Sequence, residues 1–203
     1  MLKKSSRFEN KYLLSEAQHR VILGQVSLLA EVDPKAGQDG YWVDSLYYDT
    51  VDLQDFYDSL EGICYRRKIR FRSYNSERRE YFEEKVKYNQ SITKFRCPKK
   101  QIQKHLKSLY LDNRHPVVRV KYKREAFEVP QYQLRLTFDS FLSAQSQILP
   151  FDSWQVFLPQ KVIFESKHSG VIPKWLNQII QDYQLTRLSI SKYCMAIEAC
   201  GIV

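Results

Sequence analysis

The sequence predicts an α+β fold: about eight antiparallel strands closing on themselves as a β-barrel, with a few flanking helices. Strand-length segments that alternate apolar with charged residues recur through the 203 residues, and helix signals between them are sparse. From Ile63 to Arg72, a period of two sends Tyr65, Ile69 and Phe71 to one face and Arg66, Lys68, Arg70 and Arg72 to the other. A solvated sheet face mixes signs, so a face made of cations alone points to an enclosed surface. Same-face neighbours lie about 7 Å apart, and at an effective dielectric of about 20 each like pair costs roughly 2–3 kcal/mol. A lumen holding water and an anion removes that cost; a packed apolar core does not.

The elements follow in order. A strand over Arg7–Leu13 sets Arg7, Glu9 and Lys11 on one face against Phe8 and Tyr12. Ser15, with Gln18 three residues on, forms a capping box for a helix whose apolar positions are Val21, Ile22, Val26, Leu28 and Leu29. Asp33–Gly40 reads as a loop, Tyr41–Asp49 as a strand, and Asp49 or Thr50 as the cap of a short helix ending near Gly62. After the cationic strand, Tyr81–Lys87 places Glu83, Lys85 and Lys87 together, and Ser91–Arg96 adds Lys94 and Arg96. Pro98 opens a helix with a buried stripe of Ile102, His105, Leu106 and Leu109. Strands at Val117–Phe127, Gln133–Asp139 and Val162–Lys167 follow, then an amphipathic helix after Pro173 that buries Trp175, Leu176, Ile179, Ile180 and Tyr183. Ser189–Tyr193 closes the ordered part.

Composition bounds the function. The chain suits one domain over residues 1–203, with 43% hydrophobic and 14% aromatic content and a net charge of +9. That charge calls for an anionic partner: nucleic acid, a phospholipid surface or a phosphorylated small molecule. The cations alternate along strands instead of interleaving with exposed aromatics, so no specific nucleic acid is expected. Cys64, Cys97, Cys194 and Cys200 lack CxxC spacing and read as reduced, mostly buried thiols of a cytoplasmic protein. The four scattered histidines give no zinc pattern. No apolar run has the length of a membrane span, and the basic start has no signal-peptide core.

Several short motifs stand in one order: Arg7-x-Glu9-x-Lys11-Tyr12, Arg70-x-Arg72, Glu83-x-Lys85, Lys94, Tyr122-x-Arg124-x-Ala126-Phe127, Leu134 to Asp139, Phe164-Glu165-Ser166-Lys167, Pro173-x-Trp175-Leu176 and Ser191-Lys192-Tyr193. In this order they resemble the VTC-type polyphosphate polymerase domains of the triphosphate tunnel metalloenzyme (CYTH-like) superfamily. The resemblance spans about residue 7 to residue 193. It implies a tunnel that takes a triphosphate or polyphosphate with manganese or magnesium, and transfer of the γ-phosphate of ATP to a growing polyphosphate chain. It assigns Lys11, Arg70, Arg72, Lys85, Lys94, Arg124, Arg135 and Lys192 to phosphate binding. Lys11, Arg70, Arg72, Lys85, Arg135 and Glu165 take the catalytic roles, and Glu165, with Glu9 beside it, the metal. Glu83 and Asp139 are further carboxylates whose alternative is an ion pair, as is also true of Arg124. Phosphoryl transfer suits these types, because it needs positioning and charge neutralisation more than covalent help.

One departure matters. The wider superfamily opens with Glu-x-Glu-x-Lys, and Arg7 stands at the first of those glutamates, which removes a metal ligand and favours polymerase over two-metal hydrolase chemistry. The chain also lacks the phosphoinositide-sensing extension and membrane helices found beside such domains elsewhere, so coupled translocation is not expected of it alone. A triphosphatase and a non-catalytic polyphosphate-binding module are the other two readings.

Overall fold

Eight long strands lie side by side, antiparallel throughout, and curl into a half-barrel. The computed structural model describes residues 8–34, 36–37, 39–75, 80–89, 91–102, 113–149 and 153–203. In chain order the elements are β1 (Phe8–Ser15), α1 (Glu16–Leu29), β2 (Glu31–Val32), β3 (Tyr41–Asp49), α2 (Gln54–Leu60), β4 (Tyr65–Tyr74), β5 (Tyr81–Tyr88), β6 (Ser91–Pro98), β7 (His115–Val129), β8 (Leu134–Ser146), β9 (Gln155–Val156), β10 (Lys161–His168), α3 (Lys174–Asp182) and α4 (Lys192–Ala199). The sheet runs β1-β10-β8-β7-β3-β4-β5-β6, with β2 added to β7 and β9 to β8.

Local chemistry accounts for the boundaries. The Ser15 hydroxyl accepts from the Gln18 amide at 3.2 Å while the Gln18 side chain accepts from Ser15 N–H at 2.9 Å, so β1 passes into α1 through a complete capping box. The N-cap position of α2 is Leu53, in the left-handed region at φ 57°, and not Asp49 or Thr50; those two act from upstream, the Asp49 carboxylate accepting from the amides of Asp55 (2.9 Å) and Phe56 (3.0 Å) and Thr50 Oγ1 from Gln54 N–H at 2.9 Å. Gly40 enters β3 at φ +72°, and a Cβ there would run into the backbone carbonyl of Arg124 on the neighbouring strand.

The convex face is covered by helices. Ile22 and Val26 of α1 and Leu176 and Ile179 of α3 pack on Tyr12, Leu136, Phe138 and Phe164, with the last two rings stacked at 4.7 Å. Each such side chain contributes roughly 1.5–3 kcal/mol by leaving water. A smaller cluster of Ile69, Phe71, Phe82 and Ile102 backs β4 and β5.

Several expectations need correction. Closure is incomplete: among the described residues no ladder joins β1 to β6. Part of the free edge of β1 is bonded to later chain instead, Leu188 N–H donating to the Lys11 carbonyl at 2.8 Å. Order does not stop at Tyr193, because α4 continues to Ala199 and lies on the concave face. There Tyr193, Cys194, Ala196 and Ile197 bury against Val43, Val118, Val120 and Ile163, so part of the lumen is apolar core. Gln133–Asp139 extends to Ser146 through a bulge at Phe141, which sits at φ 53°. The bulge changes the parity of the strand, so Leu142 and Ala144 face inward after Arg135, Thr137 and Asp139. Tyr65, Val21, Leu28 and Leu29 are exposed, because they lie at strand or helix positions that no other layer covers, and Ile63 is exposed in the loop before β4. Of the cysteines only Cys194 is buried; Cys64 is exposed at the start of β4. The helix expected from Pro98 begins as a 3₁₀ turn at Lys99–Gln101, and His105, Leu106 and Leu109 lie outside the described residues, as does Arg7. No helix among the described residues is long and apolar enough to cross a membrane.

Candidate functional site

The concave face encloses a cavity of about 900 Å³, a size that suits a small-molecule ligand. Eleven cations and six carboxylates line it, and Asp139, buried behind Arg124 and Lys192, makes seven. By formal charge the cations exceed these carboxylates by four. All ten residues singled out from the sequence face this space: Glu9, Lys11, Arg70, Arg72, Lys85, Lys94, Arg124, Arg135, Glu165 and Lys192.

One wall, made by β1, β10, β8 and β7, is nearly balanced. Lys11 Nζ lies 3.3 Å from Glu9 and donates to the carbonyl of Ile190 at 2.7 Å. Lys167 Nζ is 2.6 Å from Glu165, which is 4% exposed. Burial pushes the Glu165 carboxyl upward, but Lys167, Lys11, Lys192 and Arg124 outweigh it and hold it well below the usual carboxylate range. Arg135 is matched twice, by Asp33 at 2.5 Å and Glu128 at 2.6 Å. Arg124 grips Asp139 through two bonds of 2.6 and 2.7 Å, and Lys192 reaches the same carboxylate at 2.6 Å. Burial of Asp139 is again outweighed, by Arg124 and Lys192, and its pKa falls to about 2.

The opposite wall, β4, β5 and β6, is different. Glu83 stands among Arg70 (2.6 Å), Arg72 (3.7 Å) and Arg96 (3.5 Å), which overcome its burial and bring it to about 2. Arg70 also donates to Tyr47 Oη at 2.8 Å, and Arg72 to Ser45 Oγ at 2.9 Å and Tyr122 Oη at 3.3 Å. These contacts fix both guanidinium planes, which is what paired recognition of phosphate oxygens requires. Two residues along the strands, on the same face, Lys68 faces Lys85 and Lys85 faces Lys94. Among the described residues none of the three has a carboxylate within ion-pair distance; Lys68 donates to Ser191 Oγ at 2.7 Å. Burial lowers the Lys85 ammonium to about 8, with Lys94, Lys11 and Lys68 adding to the effect against Glu9. Directly opposed like charges are unfavourable, so this row favours an anion.

The carboxylates differ in what they can still hold. Glu83 and Asp139 are consumed by guanidinium and ammonium groups, as the ion-pair alternative had it, and so is the guanidinium of Arg124. Glu165 is directly across from Thr137, whose buried hydroxyl has no hydrogen-bond partner among the described residues, and Glu9 lies diagonally across on β1. An ionised carboxylate beside a spare hydroxyl oxygen fits magnesium or manganese, which take oxygen ligands and retain water and substrate phosphates. No three His, Cys, Asp or Glu residues converge on a common point among the described residues, so phosphate oxygens and water would complete such a site.

Lys68 and Arg96, placed on the cationic face from the sequence but given no role, line the site, and Lys167, Tyr47, Tyr122, Ser45 and Ser191 join it without having been singled out. For Tyr47 and Ser45 the usable signal was parity, since both alternate with Trp42 and Asp44 along β3. Arg66 shares a face with Arg70 but does not line the cavity.

The sequence matches the family model of the VTC domain over residues 6–110 and 100–200. No protein of curated description matches it. Among solved structures, the PH1819 protein of Pyrococcus horikoshii superposes with a TM-score of 0.54 at 14% identity, covering 95% of this chain and 98% of that one. A Bacillus halodurans protein provisionally named an adenylate cyclase superposes with a TM-score of 0.55 at 14% identity, covering 93% and 95%. At such identities the likeness is one of fold alone.

Proposed function

Because the chain belongs to the VTC domain family, we propose that it is a metal-dependent polyphosphate polymerase that moves the γ-phosphate of ATP onto a growing polyphosphate chain. The observation that carries this reading is the excess of cations in a walled cavity, an excess that a bound triphosphate would offset. Arg70 and Arg72, held flat by Tyr47, Ser45 and Tyr122, grip phosphoryl oxygens in pairs. Lys11, Lys85 and Lys94 act as point charges along the chain. Lys192, Arg124 and Arg135, already matched by carboxylates, shape the wall and contribute less net charge.

In the transfer, a terminal oxygen of the chain attacks the γ-phosphorus, a new P–O–P bond forms, and the bond to the bridging oxygen breaks, so ADP leaves with that electron pair. Charge accumulates on the equatorial and leaving oxygens, where fixed guanidinium groups neutralise it without having to reorganise. Glu165, with Thr137 and Glu9 nearby, would hold manganese or magnesium, whose chemistry is to neutralise phosphate charge. Catalytic roles for Lys11, Arg70, Arg72, Lys85, Arg135 and Glu165 belong to this same proposal.

The test is incubation of the purified chain with ATP and manganese, followed by polyphosphate staining on gels and by ADP and phosphate assays. Chains longer than the substrate with matching ADP are expected. Free phosphate without chains would replace the polymerase with a triphosphatase; tight polyphosphate binding without turnover would leave a binding module.

A further inference from the structure

The convex face is covered in two places, by α1 and α3 over β1, β10 and the first half of β8, and by the Ile69 cluster behind β4 and β5. Between them, a band of β3, β7, β8 and β9 carries no second layer among the described residues, and Trp42, Phe141, Trp154 and Val156 are exposed along it. Trp42 is on β3 and Phe141 on β8, yet their rings approach to 6.4 Å across β7. Val156 of β9 continues the line, since it pairs with Ser143, which shares the outer face with Lys121. Phe141 is the costly member. It stands at φ 53°, where glycine is at ease and bulky side chains are rare, and its ring is 68% exposed, so folding recovers neither the backbone strain nor the unburied aromatic surface. Strain of this kind gathers at sites that use it.

Cations frame the rings. Lys121 Nζ lies 5.1 Å from the centre of the Trp42 ring, and Lys123 is directly across from Trp42 on β7. Among the described residues neither lysine has a carboxylate within ion-pair distance, because Asp44 is held by Arg119 at 2.8 Å and Glu125 by His19 at 3.0 Å. The band therefore suits an anionic partner. Its convex shape offers a peptide no groove, and a second copy would bring the same unmatched lysines. Aromatic rings among lysines match the headgroup layer of a bilayer, which takes the rings at its apolar boundary and the ammonium groups at lipid phosphates. We propose that this band is a docking surface for an anionic phospholipid bilayer, with Trp42 and Phe141 entering the headgroup layer and Lys121 and Lys123 meeting the lipid phosphates. The cavity is on the opposite, concave face, so docking leaves it open to water.

The experiment is co-sedimentation of the full chain with vesicles of phosphatidylcholine alone and of phosphatidylcholine mixed with phosphatidylserine. Binding to the mixed vesicles only, with a blue shift of tryptophan emission, is expected. Phe141→Gly separates docking from folding: glycine suits the positive φ, so the melting temperature should hold or rise while vesicle affinity falls about fivefold. Lys121→Gln combined with Lys123→Gln should lower it about tenfold. Lys94→Ala, in the cavity, should leave vesicle affinity within about twofold of wild type. Absence of binding to either vesicle overturns the proposal, as does binding that Phe141→Gly and the lysine pair leave unchanged. A loss with Lys94→Ala as large as that with the lysine pair would move the contact to the cavity, and binding to poly-glutamate in place of vesicles would make the band a site for an acidic protein; either result overturns lipid docking.

Discussion

Lys192 at the start of α4 and Asp139 on β8 meet at 2.6 Å inside the cavity wall, and this contact ties the concave helix to the sheet. Arg124 holds the same carboxylate through two bonds, so one fully buried anion is shared between a buried guanidinium and the largely covered Lys192 ammonium. Asp139→Ala should therefore cost about 3–5 kcal/mol in urea denaturation, because both cations lose their partner in a poorly solvated place. Millimolar tripolyphosphate should recover part of the loss as a substitute anion. A cost under about 1 kcal/mol would mean that water reaches this pair freely.

Lys85 makes affinity depend on pH. Its ammonium deprotonates near pH 8 in the empty cavity, and a bound phosphate favours the charged form, so binding takes up a proton above that point. Affinity for tripolyphosphate should fall as pH rises through 8. The ligand-free protein should do the opposite: the unfolded chain holds this proton up to about pH 10.5, so unfolding takes up a proton between 8 and 10.5 and stability rises across that window. Titration calorimetry and denaturation of Lys85→Met are the checks. An unchanged binding slope in that variant would assign the proton to another group.

Glu165→Gln keeps the shape and removes one negative charge from a positive cavity. Metal-free tripolyphosphate binding should hold or tighten, since Lys167 is freed from its 2.6 Å contact. Manganese-dependent turnover should drop by at least about tenfold. If manganese titration and turnover stay at wild-type values, Glu165 only balances Lys167 and the metal assignment fails.

What could be read from the sequence was parity. The alternation in Arg66 to Arg72 placed Arg70 and Arg72 on the concave face, and the same rule placed Lys85, Lys94, Glu165 and Arg135 there. Parity fails where the backbone breaks step, and Phe141 at positive φ is such a place, so the inward turn of Leu142 and Ala144 was not visible. Pairing was hidden for another reason. That Lys68, Lys85 and Lys94 share one row depends on hairpin register, and that Asp33 reaches Arg135 depends on a loop folding back over the sheet. The helix α4 was missed because Tyr193, Cys194, Ala196 and Ile197 make a short apolar stripe, which becomes informative only once a concave face is present to receive it.

Arg135 separates a phosphate ligand from a structural cation. Removal of a charged hydrogen-bonding contact to phosphate would weaken binding by about 1.5–3 kcal/mol. Yet Arg135 already lies between Asp33 at 2.5 Å and Glu128 at 2.6 Å, so Arg135→Ala also frees two carboxylates on the cavity rim. Weaker tripolyphosphate binding is expected from either cause, and the single variant cannot tell them apart. The triple variant with Asp33→Asn and Glu128→Gln can. It removes the repulsion without restoring a cation, so affinity should return to within about threefold of wild type if Arg135 serves mainly to mask the two acids. Affinity that stays low in the triple variant would make Arg135 a direct ligand, and a phosphate group would then have to displace at least one carboxylate on entry. Stopped-flow binding at two salt concentrations adds a second readout, because masking acts on the approach of the anion and its loss slows association most at low salt.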